Sequence, residues 1–354
     1  MSAAAAAWPR DDAAAERLLW IDPERRRLRD AHLDDMPALL RPGDLLVVND
    51  AATLPASLSG RTAAGSSLEV RLYGQRAGPG PRFRAVLFGP GDWRLRTEDR
   101  PEPARLAPGD RISFAPDLSA RVEAVADLSP RLVELTFDRD GAPLWSALYR
   151  YGRPVQYSYV AAPLELWSVQ THFGARPWAA EMPSAGRPLR WHILRALGER
   201  GVRMAALTHA AGLSSTGDPV LDAALPLPEQ FDVPEPTVRA IWATRAAGGR
   251  VVAVGTTVVR ALEGSAVQHR GELVPGPGET DLVIRPGFRP QVVHGILTGI
   301  HEPGSSHFRL LHAFAPGDLL AAASTHSRAA GYLGHEFGDS CLVLSGPGST
   351  EAPA

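Results

Sequence analysis

The sequence predicts an α/β fold: a layered α/β domain with an inserted small antiparallel β-barrel domain. Three observations predict it. Between residues 57 and 140, short alternating runs (SLEVRLYG, RFRAVLFG, RISFAP, ARVEAVAD and RLVELTF) are separated by Gly, Pro and Asp, the spacing of a small barrel-like β unit. Beyond Gly186, helical periodicities alternate with short apolar strands, which is the pattern of a layered α/β domain. The run LLVVN at 45–49 also reads as a buried strand, yet it precedes the β-rich region, so both ends of the chain build the α/β domain. The expected boundaries are 1–56 and 147–345 for that domain and 57–146 for the barrel. The Ala-rich start and the tail 346–354 are expected to be disordered.

In chain order after the barrel, 192–200 predicts a helix stopped by Gly201, and 202–208 a strand. Pro236 suits a first helical position; Val238, Ile241 and Trp242 share one face, and Gly248 and Gly249 end that helix. The strand 250–254 follows at once. Further strands are expected at 280–284, 293–298 and 341–344, with helices at 308–314 and 319–330.

Composition narrows the classes. Hydrophobic residues make up 44% and charged residues 21% of the 354, as in ordinary globular domains. A formal net charge of -2 gives no global attraction to a polyanion, so any nucleic-acid contact must come from a local arginine patch. No lysine is present, which removes a lysine nucleophile, a Schiff base or a P-loop lysine. The single cysteine, Cys341, makes no internal disulfide and suits a reducing compartment. The start lacks a secretory pattern, and no run reaches the roughly 20 apolar residues of a membrane helix. The expectation is a cytoplasmic protein.

The strongest chemical signal is RVVAVGTTVVRALE at 250–263. A buried strand there meets a helix through Gly255, Thr256 and Thr257; glycine allows close approach, a threonine can cap the helix, and the free amides can hold a carboxylate or phosphate. An ordinary capped turn with no ligand has the same sequence pattern.

VGTT followed by VR and LE resembles the signature of the S-adenosylmethionine:tRNA ribosyltransferase-isomerases of queuosine biosynthesis. RPGDLLVVNDAATLPASLSG is similar to the family's N-terminal strand and turn, matching Asn49 and Asp50. PSAG at 183–186 resembles its Pro-Thr-Ala-Gly loop, GETDLVIRPGF its Thr-Asp and Pro-Gly elements, and the stretch around His301 and Pro303 its His-x-Pro turn. The order holds from about residue 17 to residue 344.

The resemblance implies transfer and isomerisation of the ribosyl moiety of S-adenosylmethionine onto 7-aminomethyl-7-deazaguanine in tRNA. Epoxyqueuosine forms, and adenine and methionine are released. S-adenosylmethionine is then a substrate, with no tightly bound cofactor and no metal. The resemblance also implies roles for particular residues. His209, His301 and Glu229 are the catalytic candidates. Asn49, Asp50, Pro183, Ala185, Gly186, Gly212, Gly255, Thr256, Thr257, Arg260, Asp281, Thr298 and Pro303 are the substrate-binding candidates.

Some family elements are altered. Arg187, Pro188 and Leu189 replace Leu-His-Phe, Ala52 stands where the family has arginine, and of a Met-His-Ser-Glu element only Glu229 remains. Two alternatives therefore stand beside the family activity: a paralogue using the donor on a non-tRNA acceptor or cleaving it, and a non-catalytic S-adenosylmethionine-binding module. Residue by residue, Glu229 beside Pro228 reads as a loop position and Arg260 as a solvated helical arginine or a carboxylate partner. His301, His307, His312, His326 and His335 lack metal-site spacing. Trp167, Trp178 and Trp191 are expected in the core rather than stacked on a purine. The run ERRRLR, with Arg25, Arg26, Arg27 and Arg29, reads as a solvated face or turn.

Overall fold

The computed structural model describes residues 4–10, 16–75 and 80–345. The tail expected to be disordered, 346–354, lies outside the described residues. The strand Leu45–Asn49 is buried at every position. Its alternation explains this: Leu45 and Val47 enter one core cluster and Leu46 and Val48 another, since successive strand side chains point to opposite faces. A strand buried on both faces belongs in the middle of a covered sheet.

That sheet has nine strands, in the order Gly276–Thr280, Glu229–Val233, Arg203–His209, Leu45–Asn49, Val251–Val254, Gly295–Gly299, Ser340–Val343, Arg17–Asp22 and Arg27–His32. The four from Arg203–His209 to Gly295–Gly299 are mutually parallel. Their carboxyl ends therefore share one edge, where open α/β sheets place their ligands. The helices Glu235–Ala246, Thr256–Gln268 and Gly317–Ala329 cover one face with residues such as Ile241, Val259, Leu262 and Leu320. The helix Trp191–Glu199 covers the other with Ile193 and Leu197. Each such side chain contributes about 1.5–3 kcal/mol on burial.

In the chain between the sheet strands Leu45–Asn49 and Arg203–His209, Ser57–Thr62, Ser67–Gln75, Arg82–Phe88, Arg111–Ala115, Leu118–Val125 and Leu132–Phe137 form a closed antiparallel barrel. Closure leaves no edge strand exposed. The helix Gly141–Tyr151 adds Leu144, Ala147 and Leu148 to the barrel core, so the expected seam after residue 146 falls inside this helix.

Several local expectations need correction. Within the start, expected to be disordered, Ala4–Ala5 pairs in parallel with Leu333–Gly334. The strand expected at 280–284 is Gly276–Thr280. Its register is set by the partner strand, for Gly278 lies opposite Phe231 and a Cβ on Gly278 would stand 2.4 Å from that ring. Trp242 is 47% exposed and leaves the packed face to Val238 and Ile241. Trp167 and Trp191 are exposed too, at 75% and 62%; they sit at positions where the core needs no bulk. In the basic run, Arg25 pairs with Asp22 at 3.0 Å and Arg26 with Asp318, while Arg27 and Arg29 lie exposed on an edge strand. Among the described residues, no helix is long and apolar enough to cross a membrane.

Candidate active site

The site begins where the strand Val251–Val254 ends. Gly255 holds φ at 91°, a conformation costly for any residue with a Cβ. The helix starts at Thr256, and its first backbone bond runs from the Val259 amide to the Gly255 carbonyl at 3.4 Å. The amides of Thr256, Thr257 and Val258 therefore have no helical carbonyl. The expected threonine cap is absent: Gly255 occupies the cap position with no side-chain bond. The Thr257 hydroxyl instead accepts from Asn49 Nδ2 at 3.2 Å.

Asn49 joins three strand ends. Its Nδ2 also donates to the His209 carbonyl at 2.9 Å, and its Oδ1 accepts from the His209 amide at 2.9 Å and the Ala51 amide at 3.0 Å. Asp50 accepts from the Thr208 hydroxyl at 2.6 Å, and burial raises its pKa above the usual aspartate value. Pro183 precedes the 3-10 turn Ser184–Gly186. Ala185 in that turn would lie 3.4 Å from a Cβ on Gly255, so the two turns abut. Gly186 packs on Phe173, where a Cβ would come within 2.6 Å of the ring.

The second part is a buried charged cluster. His209 ends its strand rather than following it, and it has no exposure. Its Nε2 lies 3.5 Å from Glu229 Oε2, and neither ring nitrogen makes a hydrogen bond. Glu229 is no loop residue: it opens the strand Glu229–Val233 and is buried. It accepts from the Gly212 amide at 2.5 Å and pairs with Arg260. A Cβ on Gly212 would stand 2.8 Å from that carboxylate. Arg260 is buried, not solvated, and donates to the carbonyls of Leu282 at 3.1 Å and Thr280 at 3.3 Å. Burial brings its pKa down to about 10, so it stays charged at neutral pH. Burial first, then the Arg260 charge, hold the His209 pKa well below the usual histidine range. The cluster is thus a neutral imidazole beside a closed Arg–Glu pair, with two ring nitrogens that the protein leaves unpaired at roughly 1–3 kcal/mol each.

The third part lies on the other side of the Gly255 turn. Thr298, buried near the end of its strand, bonds His301 Nε2 through Oγ1 at 2.7 Å. His301 stacks on His307 with centroids 4.9 Å apart. Burial, with His307 and His335 nearby, keeps its pKa well below the usual value. The remaining histidines scatter: His326 bonds Asp30 at 2.9 Å and His312 packs on Phe308. Pro303 and Asp281 are exposed, and Asp281 reaches the cluster only through its field on Arg260. Leu189, one of the altered positions, is fully buried in the core with Ile193.

Two supports had no role assigned from the sequence. Glu263, unexposed, accepts from the amides of Gln291 at 2.8 Å, Val292 at 3.0 Å and Val293 at 2.9 Å, anchoring the entry to the strand Gly295–Gly299. The LE of the VGTT signature carried it, as an acid three residues from the helix's inward arginine. The segment around Glu336 and Asp339 was assigned no role from the sequence.

A family model described as queuosine biosynthesis protein matches residues 2–343. An S-adenosylmethionine:tRNA ribosyltransferase-isomerase from Gloeobacter violaceus is 37% identical over 96% of this chain and 92% of its own length. The enzyme of that name from Acidithiobacillus ferrooxidans is 35% identical over 95% and 93%. Among solved structures, the S-adenosylmethionine tRNA ribosyltransferase of Thermotoga maritima is similar with a TM-score of 0.52, 25% identity and 96% coverage of both chains. A match over nearly the whole length shows that the chain belongs to the queuosine biosynthesis protein family.

Proposed function

We propose that this protein transfers and isomerises the ribosyl moiety of S-adenosylmethionine onto 7-aminomethyl-7-deazaguanine in tRNA, forming epoxyqueuosine and releasing adenine and methionine. The α/β part holds the donor, and the barrel insert, with the helix Gly141–Tyr151 packed on it, flanks it. One observation carries the reading: a sealed, neutral His209 with both ring nitrogens unpaired, set beside Glu229 at the carboxyl edge of the sheet. A protein leaves such a group unpaired where a substrate completes it.

The chemistry begins with removal of a proton beside the sulfonium, whose positive charge stabilises the carbanion. A neutral imidazole can take that proton, and Glu229 at 3.5 Å stabilises the imidazolium that results. The free amides of the Gly255 turn hold the methionine carboxylate. His301, positioned by Thr298, faces the same edge as a second proton carrier. Burial around these groups excludes water, as a carbanion requires.

The test is direct. The protein is incubated with S-adenosylmethionine and tRNA bearing the deazaguanine base, and the digested nucleosides are read by mass spectrometry. Epoxyqueuosine should form in step with adenine and methionine. Adenine and methionine released with unchanged tRNA would reject this acceptor, and no turnover despite donor binding would reject the enzyme.

A further inference from the structure

Ala185 packs on the Gly255 turn and also lines a recess that opens to solvent. Gly299 and the segment 335–340 form the other walls. The recess has room for about one water-sized group. Its charged lining is Glu16, Arg187, His335, Glu336 and Asp339, and these differ in how far the protein already satisfies them.

Asp339 is committed. Its Oδ1 accepts from Arg10 at 2.7 Å and the Arg17 amide at 3.1 Å, and its Oδ2 accepts from the Leu333 amide at 2.8 Å. His335 stacks on Tyr159 with centroids 4.2 Å apart, and burial holds its pKa below the usual value, so it adds no positive charge at neutral pH. Arg187 lies over the Phe337 ring at 5.3 Å and acts on both remaining acids through space. Those acids are Glu16, which accepts from the Ser340 hydroxyl at 3.0 Å, and Glu336, whose carboxyl lies beside Tyr159. Glu336 Oε1 is sealed from bulk solvent and accepts no hydrogen bond.

Two carboxyl groups therefore share the field of Arg187, with Arg10 acting on Glu16 as well, and one of their oxygens is an orphan acceptor. A compact cation with several N–H donors would satisfy both acids. We propose that this recess is a subsite for a primary ammonium group, with Glu336 Oε1 and Glu16 as its acceptors. The assignment rests on the substrates proposed above, two of whose groups have this chemistry: the α-ammonium of S-adenosylmethionine and the aminomethyl group of the deazaguanine base. The resting state of the acids agrees. Burial lifts Glu16 to about 7 and Glu336 to about 8, with Glu181 adding to the latter, so the empty recess keeps protons that an ammonium would displace.

Calorimetric titration of the full chain tests this with two matched pairs. One is S-adenosylmethionine and its analogue lacking the α-amine; the other is 7-aminomethyl-7-deazaguanine and its 7-methyl counterpart. E336Q should weaken the amine-bearing ligand of one pair at least tenfold and leave its amine-free partner unchanged; the pair affected identifies the source. Glu16→Gln should weaken the same ligand, which guards against a folding defect in either variant. Wild-type protein should release protons on binding that ligand, and E336Q fewer. Equal affinity of wild type and both variants for both amines, or equal weakening of the amine-free partners, overturns the subsite alone. Wild-type protein that binds neither donor nor base overturns the subsite together with the reading beneath it.

Discussion

Replacing Gly255 by alanine perturbs the proposed carboxylate site without filling it. A Cβ at φ 91° strains the backbone by about 1–3 kcal/mol. It adds little steric cost, since it would lie 3.4 Å from Ala185 Cβ and 3.5 Å from Thr257 Oγ1, ordinary contact distances. Against a domain stability of about 5–15 kcal/mol, Gly255→Ala should stay folded with a lower urea midpoint. The turn can shed its strain only by rotating, which turns the Thr256 and Thr257 amides away from a bound anion. An amide bond to a charged acceptor is worth about 1.5–3 kcal/mol, and about 1.4 kcal/mol is tenfold in affinity. Binding of S-adenosylmethionine should therefore weaken roughly tenfold to a hundredfold, read by calorimetry on a variant shown folded by near-ultraviolet circular dichroism. A folded Gly255→Ala with the parent's dissociation constant would place the anion site elsewhere and refute this reasoning.

Other outcomes follow from the buried groups. Glu229→Gln breaks the Arg260 pair and should cost about 3–5 kcal/mol in urea unfolding, with much of it recovered in the double variant Glu229→Gln/Arg260→Met; additive losses would show that the two do not act as a pair. Glu263→Ala leaves the amides of Val292 and Val293 buried without acceptors, a loss of roughly 2–5 kcal/mol; a change under about 0.5 kcal/mol would show that the 291–293 segment finds other partners. Stability should also fall on both sides of neutrality. Glu336 is raised from 4.5 to about 8, so the folded state holds a proton that the unfolded chain releases, and the associated stability declines as pH rises through that window. His209 and His301 are lowered from 6.5, so their contribution is present above 6.5 and declines as pH falls below it. E336Q should flatten the decline between pH 5 and 8 in urea titrations, and an unchanged slope there would show that Glu336 is not the group responsible.

The layered fold and the barrel were legible in the sequence because both rest on local periodicity. LLVVN alternates into two cores, and the runs between 57 and 137 alternate into the barrel. The Gly255 turn was legible for the same local reason: a buried strand, a glycine and a helix start are contiguous. The cluster was not. Glu229 looked like a loop acid and Arg260 like a solvated arginine, because nothing near either in sequence says that a neighbouring strand will bury both and pair them. The edge strand Gly276–Thr280 was misplaced because its register comes from Phe231 across the pair. By itself the sequence determined the family, the two architectural parts and the strand–glycine–helix turn at Gly255, all of which depend on short-range pattern. Only the tertiary structure decided the ionisation of His209, the closure of the Arg260–Glu229 pair and the orphan oxygen of Glu336, because burial and charge are set by residues that meet only when the strands align.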